Sequence, residues 1–227
     1  MGTALAAGLA ASANATTILI DFGANANTTP TTGGQSWNNV TATMAASAGE
    51  KIPDLLATTG TGTGIGLSIV SRFNGNNDSG TTSGSAPYPS TATGDSLFGN
   101  TESFGVGANV FPEFKLTGLV IGQTYHFTFF ASRTGASDNR ETKYTITGST
   151  SGNVTLNASN NISNTAIYSA TPNASGEIVI LMGPGTNNNN TNHFTYLNVL
   201  EINTVPEPGS LALAGLGGLL LLRRKRD

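Results

Sequence analysis

Tyr125-His126-Phe127-Thr128-Phe129-Phe130-Ala131-Ser132 decides the fold class. Side chains alternate across a strand, so Tyr125, Phe127, Phe129 and Ala131 share one face. Aromatic residues at period two, bounded by Gly122-Gln123-Thr124 before and Arg133-Thr134-Gly135 after, describe a half-buried β-strand. The same period recurs on both sides. Thr17–Phe22 ends at Gly23. Ile65–Phe73 sets Ile65, Leu67 and Ile69 against Ser68, Val70 and Arg72. Glu141–Gly148 opposes Glu141, Lys143 and Thr145 to Thr142, Tyr144 and Ile146. Val154–Leu156, Thr165–Ser169, Glu177–Met182 and Phe194–Ile202 follow, the last with apolar residues on both faces. No stretch of the body holds a helical period. About nine short strands separated by Gly/Asn/Thr clusters predict an all-β protein, a two-sheet antiparallel β-sandwich. Asn74–Gly94 and Gly183–Asn192, the second with four consecutive asparagines, read as long polar loops.

Composition narrows the function. Of 227 residues only 10% are charged, and none is cysteine, which removes disulfides and thiolate metal sites. The ten basic and thirteen acidic side chains are unevenly placed. Four cations and two acids lie in the last residues, leaving a body with six basic and eleven acidic groups. An acidic body without a basic stripe excludes nucleic acid as partner, because phosphate binding needs clustered Lys and Arg. The Gly60–Gly66 run lacks both G-x-G-x-x-G spacing and a following helix, so it is no nucleotide loop.

The ends divide the chain into three. Residues 1–15 are small and apolar and finish Ala13-Asn14-Ala15, the form of a signal-peptidase site, although Met1-Gly2-Thr3 carries no basic n-region. A weak signal or a start codon placed too late accounts for that. Residues 16–203 form the β-sandwich. Residues 204–227 hold Pro206-Glu207-Pro208, an apolar stretch through Leu211, Leu213, Leu216, Leu219, Leu220, Leu221 and Leu222, and then Arg223-Arg224-Lys225-Arg226. Leu211–Leu222 as a short C-terminal helix spans roughly 18 Å, and with snorkelling arginines it approaches the ~30 Å hydrocarbon core. The four cations hold that end in the cytoplasm and leave the body outside.

This order of Pro-Glu-Pro, short membrane segment and basic cluster closely resembles the PEP-CTERM sorting signal. The resemblance implies recognition by an exosortase-type membrane enzyme, transient inner-membrane insertion, and then a place at the cell surface or in an extracellular polysaccharide matrix or biofilm. The body also resembles galactose-binding-like jelly-roll modules. The residues that carry this are Ile20-Asp21-Phe22-Gly23, Trp37-Asn38-Asn39-Val40, Leu116-Thr117-Gly118-Leu119, Gly122-Gln123-Thr124-Tyr125, Phe129–Arg133, Asp138–Thr142 and Tyr196–Ile202. It implies a jelly-roll-like sandwich and sugar binding as a class, without designating a site.

Four groups of residues are candidates for chemistry. Arg133 and Asp138-Asn139-Arg140-Glu141 form the densest charge in the body, on the hairpin between two strands. They either grip sugar hydroxyls or pair among themselves and brace a strand end. Trp37, the only tryptophan, is either a platform for a pyranose face or core filler. Asp21, with Gly23 and Asn25, is a candidate structural calcium site or an Asx turn, and no D-x-D-x-D-G spacing supports the metal. Gly94-Asp95-Ser96-Leu97 spells the GDSL nucleophile block of one esterase class. That class needs a D-x-x-H, and Asn190 stands three residues before His193. The sequence therefore predicts a non-enzymatic surface or matrix protein with weak carbohydrate binding and no cofactor. A purely structural matrix protein is the alternative, and an esterase a minor one.

Overall fold

The computed structural model describes residues 15–204, so the expected leader except Ala15 and the sorting tail except Thr204, including the apolar stretch and its basic stop, lie outside the described residues. In chain order the first strands are β1 (Thr17–Gly23), β2 (Asn38–Thr41), β3 (Lys51–Ile52), β4 (Gly66–Ser71), β5 (Gly75–Asn77), β6 (Ser96–Gly99) and β7 (Glu113–Thr117). They continue as β8 (Tyr125–Phe130), β9 (Glu141–Thr147), β10 (Ser151–Asn157), β11 (Ala166–Ala170), β12 (Ile178–Pro184), β13 (Thr195–Leu197) and β14 (Val199–Thr204). Single helical turns, α1 (Ala42–Ala45) and α2 (Ser90–Thr93), interrupt the loops.

Alternation sets what each strand buries. On β8, Tyr125, Phe127 and Phe129 face the core between the sheets; on β9 Thr142, Tyr144 and Ile146 do; on β12 Ile178, Ile180 and Met182. These strands fall into a five-stranded sheet, β11-β8-β14-β1-β2, and a six-stranded sheet, β10-β9-β12-β7-β4-β3. The sheets meet through side chains that cross between them. Phe129 stacks on Tyr144 with ring centroids 4.3 Å apart, and Phe22 meets Phe114 at 5.2 Å. The expected all-β, jelly-roll-like sandwich is the observed architecture.

It is modified in three places. β2 runs parallel to β1, so one pair is not antiparallel. The predicted single strand Phe194–Ile202 is two. Thr195–Leu197 pairs with β6, whereas Val199–Thr204 pairs with β1 and β8. The hinge between them is the buried Asn198. Its amide oxygen accepts from Ser132 N at 2.8 Å, and its amide nitrogen donates to the carbonyls of Thr93 (3.0 Å) and Asp95. Third, β13, β6 and β5 make a small separate sheet. The stretch read as one polar loop, Asn74–Gly94, thus contributes β5 and α2, and lays Tyr88 edge-on against both Trp37 and Phe130.

The register also fixes which end is which. Thr17 lies opposite Asn203 and Tyr125 opposite Thr204, so the chain enters and leaves the sandwich at one end. Asp21 opposite Val199 and Phe130 opposite Val199 mark the other end, where the residues following β8 and preceding β9 emerge.

Candidate functional site: an arginine and aromatic cleft

At that far end, the β8–β9 and β12–β13 connections and the small sheet enclose a cleft of about 260 Å³. Arg133 and Arg140 line it, with Phe98, Phe104, Phe194 and Tyr196 as walls and Asn76 and Asn77 at its edge. Arg140 is held from several sides. Its Nε donates to Asp138 Oδ1 at 2.7 Å, one Nη to Tyr196 Oη at 2.7 Å, and its guanidinium lies 5.7 Å from the Phe194 ring centroid and 5.9 Å from that of Tyr196. The Arg140 hydrogen bond, joined by one from Asn190 Nδ2 at 2.5 Å, holds the Asp138 carboxyl below its ordinary range. Burial pushes the Tyr196 phenol up, against the pull of the Arg140 and Arg133 charges on it.

Of the predicted cluster, Asp138 and Arg140 therefore meet as a pair, which is the strand-bracing alternative. Glu141 turns the other way. Its carboxylate accepts from the backbone and side-chain amides of Asn187, both at 3.1 Å. Asn139 takes a further role: its backbone N–H donates to Asn189 Oδ1 (2.7 Å) and its own Oδ1 accepts from Glu141 N (2.9 Å), closing the turn. Arg133 has no acidic partner among the described residues. One Nη donates to the Thr134 carbonyl, and its buried Nε has no hydrogen-bond partner among them. A desolvated guanidinium N–H left unpaired is costly, and the charge of the group stays uncompensated by any acid among the described residues.

Trp37 is not brought to the cleft. At 7% exposure it fills a second apolar cluster with Leu19, Phe130 and Val199 beneath Tyr88, the core-filler alternative. The aromatic surface that does reach the cleft is Phe104, 46% exposed, packed edge-on at 4.9 Å against Phe194 and at 6.0 Å against Phe98. Sequence reading passed over Phe104 because it sits in an irregular loop without periodicity. That loop is shaped from outside it: Asn74 Nδ2 donates to the Phe104 carbonyl at 2.8 Å, and Asn74 Oδ1 accepts from Val106 N at 3.2 Å. The asparagine run is likewise structural. Asn188 Nδ2 reaches the carbonyls of Glu141 (3.0 Å) and Phe194 (2.9 Å), tying the cleft's wall to the start of β9.

The other candidates separate. Ser96 is fully buried in β6, and its Oγ has no partner among the described residues; His193 bonds Thr101 and His126 bonds Ser169, so neither histidine is paired with the serine of the GDSL string. Asp21 is buried with Oδ2 accepting from Thr29 N (3.0 Å) and Oγ1 (2.8 Å), and with Oδ1 unpaired among the described residues. Gly23 lies against the carboxyl of Asp95, where any Cβ would collide, and Asn25 is engaged by Thr43. Among the described residues no group of three His, Cys, Asp or Glu side chains is placed to hold a metal, and no helix is long and apolar enough to cross a membrane.

The tail carries the sequence match. Residues 204–226 are a PEP-CTERM protein-sorting motif. The chain is thereby marked as an exported protein sorted through the membrane. No curated protein matches the chain in sequence. In structure it is similar to the CBM35 module of Cellvibrio japonicus, at 16% identity and a TM-score of 0.31 over 47% of this chain and 71% of that one. A second CBM35, solved with a glucuronic acid-containing disaccharide, is 17% identical at a TM-score of 0.29 over 45% of this chain and 77% of that one. The ANX1 ectodomain from Arabidopsis thaliana is 13% identical at a TM-score of 0.45. That likeness covers 83% of this chain, which spans about half of the ectodomain (48%).

Proposed function

We propose that the protein is a non-enzymatic surface or matrix component that an exosortase-type enzyme processes near Pro206-Glu207-Pro208 and whose body binds extracellular polysaccharide weakly. The observation that carries the binding reading is the Arg133 guanidinium, without an acidic partner among the described residues, in one cleft with the exposed Phe104 ring: a charged donor and an apolar surface together. A sugar offers both partners, hydroxyl or carboxylate oxygens for the guanidinium and a C–H face for the ring. The cleft is small, about 260 Å³, and presents few free donors, so affinity is expected to be weak and exchange fast.

Arg133→Gln is the informative variant, because Arg140 also braces the hairpin. In a glycan array and pull-down with residues 15–204, including exopolysaccharide from the producing organism, Arg133→Gln is expected to weaken binding about tenfold, the loss of one charge-assisted hydrogen bond. Circular dichroism should be unchanged. Absence of binding by the parent across the array would sink the glycan reading and leave the structural matrix protein.

Sorting and folding belong to separate segments. Thr204 N donates to the Thr16 carbonyl at 2.9 Å and Thr204 Oγ1 accepts from Thr16 N at 2.8 Å, so β14 completes its pairing before the motif's prolines. Deleting Pro206–Asp227 is expected to leave the denaturation curve unchanged and to abolish surface retention. An insoluble or unfolded truncated body would contradict this separation.

A further inference from the structure

The turn between β7 and β8 breaks the usual chemistry of turns. Gln123 N donates to the Val120 carbonyl at 3.1 Å and Gly122 takes φ +88°, so Val120 and Ile121 occupy the first two positions of a tight turn that ordinarily favours polar residues or proline. Both are exposed, Val120 at 60% and Ile121 at 64%, while their neighbour Leu119 is buried. The turn is firmly set. Val120 N donates to Tyr125 Oη at 2.9 Å, and Leu119 N to the Gly176 carbonyl at 3.0 Å. It presents two adjacent β-branched side chains to the outside.

Its location gives this a meaning. Tyr125, just after the turn, pairs with Thr204, the first residue of the tail, and Val120 and Thr204 line one pocket at the end opposite Arg133 and Arg140. Residues 205–210 separate Thr204 from the apolar stretch, and six residues span at most about 20 Å. Whenever Leu211–Leu222 is in a bilayer, this end of the sandwich is kept within about 20 Å of it. Little charge opposes contact: residues 118–124, 148–150 and 171–176 carry no charged side chain. The nearby Glu177 is paired with Lys115 at 2.7 Å, and Asp54 Oδ1 accepts from the amides of Thr63 and Gly64.

We infer that Val120 and Ile121 form a membrane-facing tip that seats the body on the lipid interface while the tail is inserted, and so turns the arginine cleft away from the membrane. The tether supplies the necessary proximity, an effective concentration of about millimolar, so two side chains suffice without independent membrane affinity. The inference rests on reading Leu211–Leu222 as a membrane segment.

The chain's lack of cysteine makes the test direct. Full-length Ile121→Cys and, as control, Ser137→Cys at the cleft end would each be labelled with an environment-sensitive fluorophore. Both would be reconstituted into phosphatidylethanolamine/phosphatidylglycerol vesicles containing a doxyl-labelled lipid quencher. The label at 121 is expected to be blue-shifted and quenched several-fold more than the label at 137. A chain that floats with the vesicles but leaves both labels in water, or quenches both equally, overturns the tip alone. A chain that fails to float overturns the membrane segment, and the tip with it.

Discussion

Asn198→Ala is expected to destabilise the sandwich by roughly 3 kcal/mol or more, because it strips partners from three buried backbone groups at about 1–3 kcal/mol each. Those groups are the N–H of Ser132 and the carbonyls of Thr93 and Asp95. The backbone of the same residue bonds Phe22 N and the Phe130 carbonyl, so the side chain and main chain together join β1, β8 and the loop ahead of β6 where β13 becomes β14. Trp37 packs in the same cluster as Val199, the next residue, and so reports this region by its fluorescence. Urea denaturation followed at the single tryptophan gives the change directly. Asn198→Asp retains the acceptor for Ser132 but loses both donors, and should also be destabilising. A midpoint unchanged in Asn198→Ala would mean that the hinge is held by strand pairing alone.

A second large effect concerns pH, with a sign opposite to ordinary acid denaturation. Burial pushes the Asp21 carboxyl up to about 7, against the hydrogen bonds from Thr29 and with the charge of Asp95 adding to the rise. Between the unfolded value of 3.8 and about 7, the folded state holds a proton that the unfolded chain has released. Stability therefore falls as pH rises through that window, by up to about 4 kcal/mol, and is level above it. Asp95 is raised for the same first reason, burial, and contributes with the same sign. Asp138, held low by Arg140, contributes oppositely: its stabilisation is lost as pH falls through its lowered folded value. Denaturation midpoints measured from pH 4 to 8 should thus decline for the parent, and decline much less for Asp21→Asn, which cannot ionise. Equal slopes for the two proteins would show that Asp21 is ionised in the fold across the whole range.

Residues whose meaning lies in their neighbours in sequence were legible from sequence. Tyr125, Phe127 and Phe129 announce their buried face by period two, and β9 and β12 do the same. The PEP-CTERM tail is read from order and spacing alone, since its proline pair, apolar stretch and cations act in line along one segment. Glu113–Thr117 was missed although Phe114 and Leu116 alternate in it, because five residues between glycine- and proline-bearing loops give too short a window. The site divides in the same way. The charge of Arg133 and of Asp138–Glu141 is visible in the chain, but whether each arginine meets an acid is decided by the tertiary structure: Asp138, itself held by Asn190, and Tyr196 complete the surroundings of Arg140, whereas Arg133 has no acidic partner among the described residues. Trp37 has one identity in the sequence and two readings, and Tyr88, far along the chain, decides between them by covering it. Alternation and linear motifs, being local, determine strands, sandwich class and sorting. Pairing, burial and the opening of the cleft depend on groups brought together across tens of residues, and these only the tertiary structure decides.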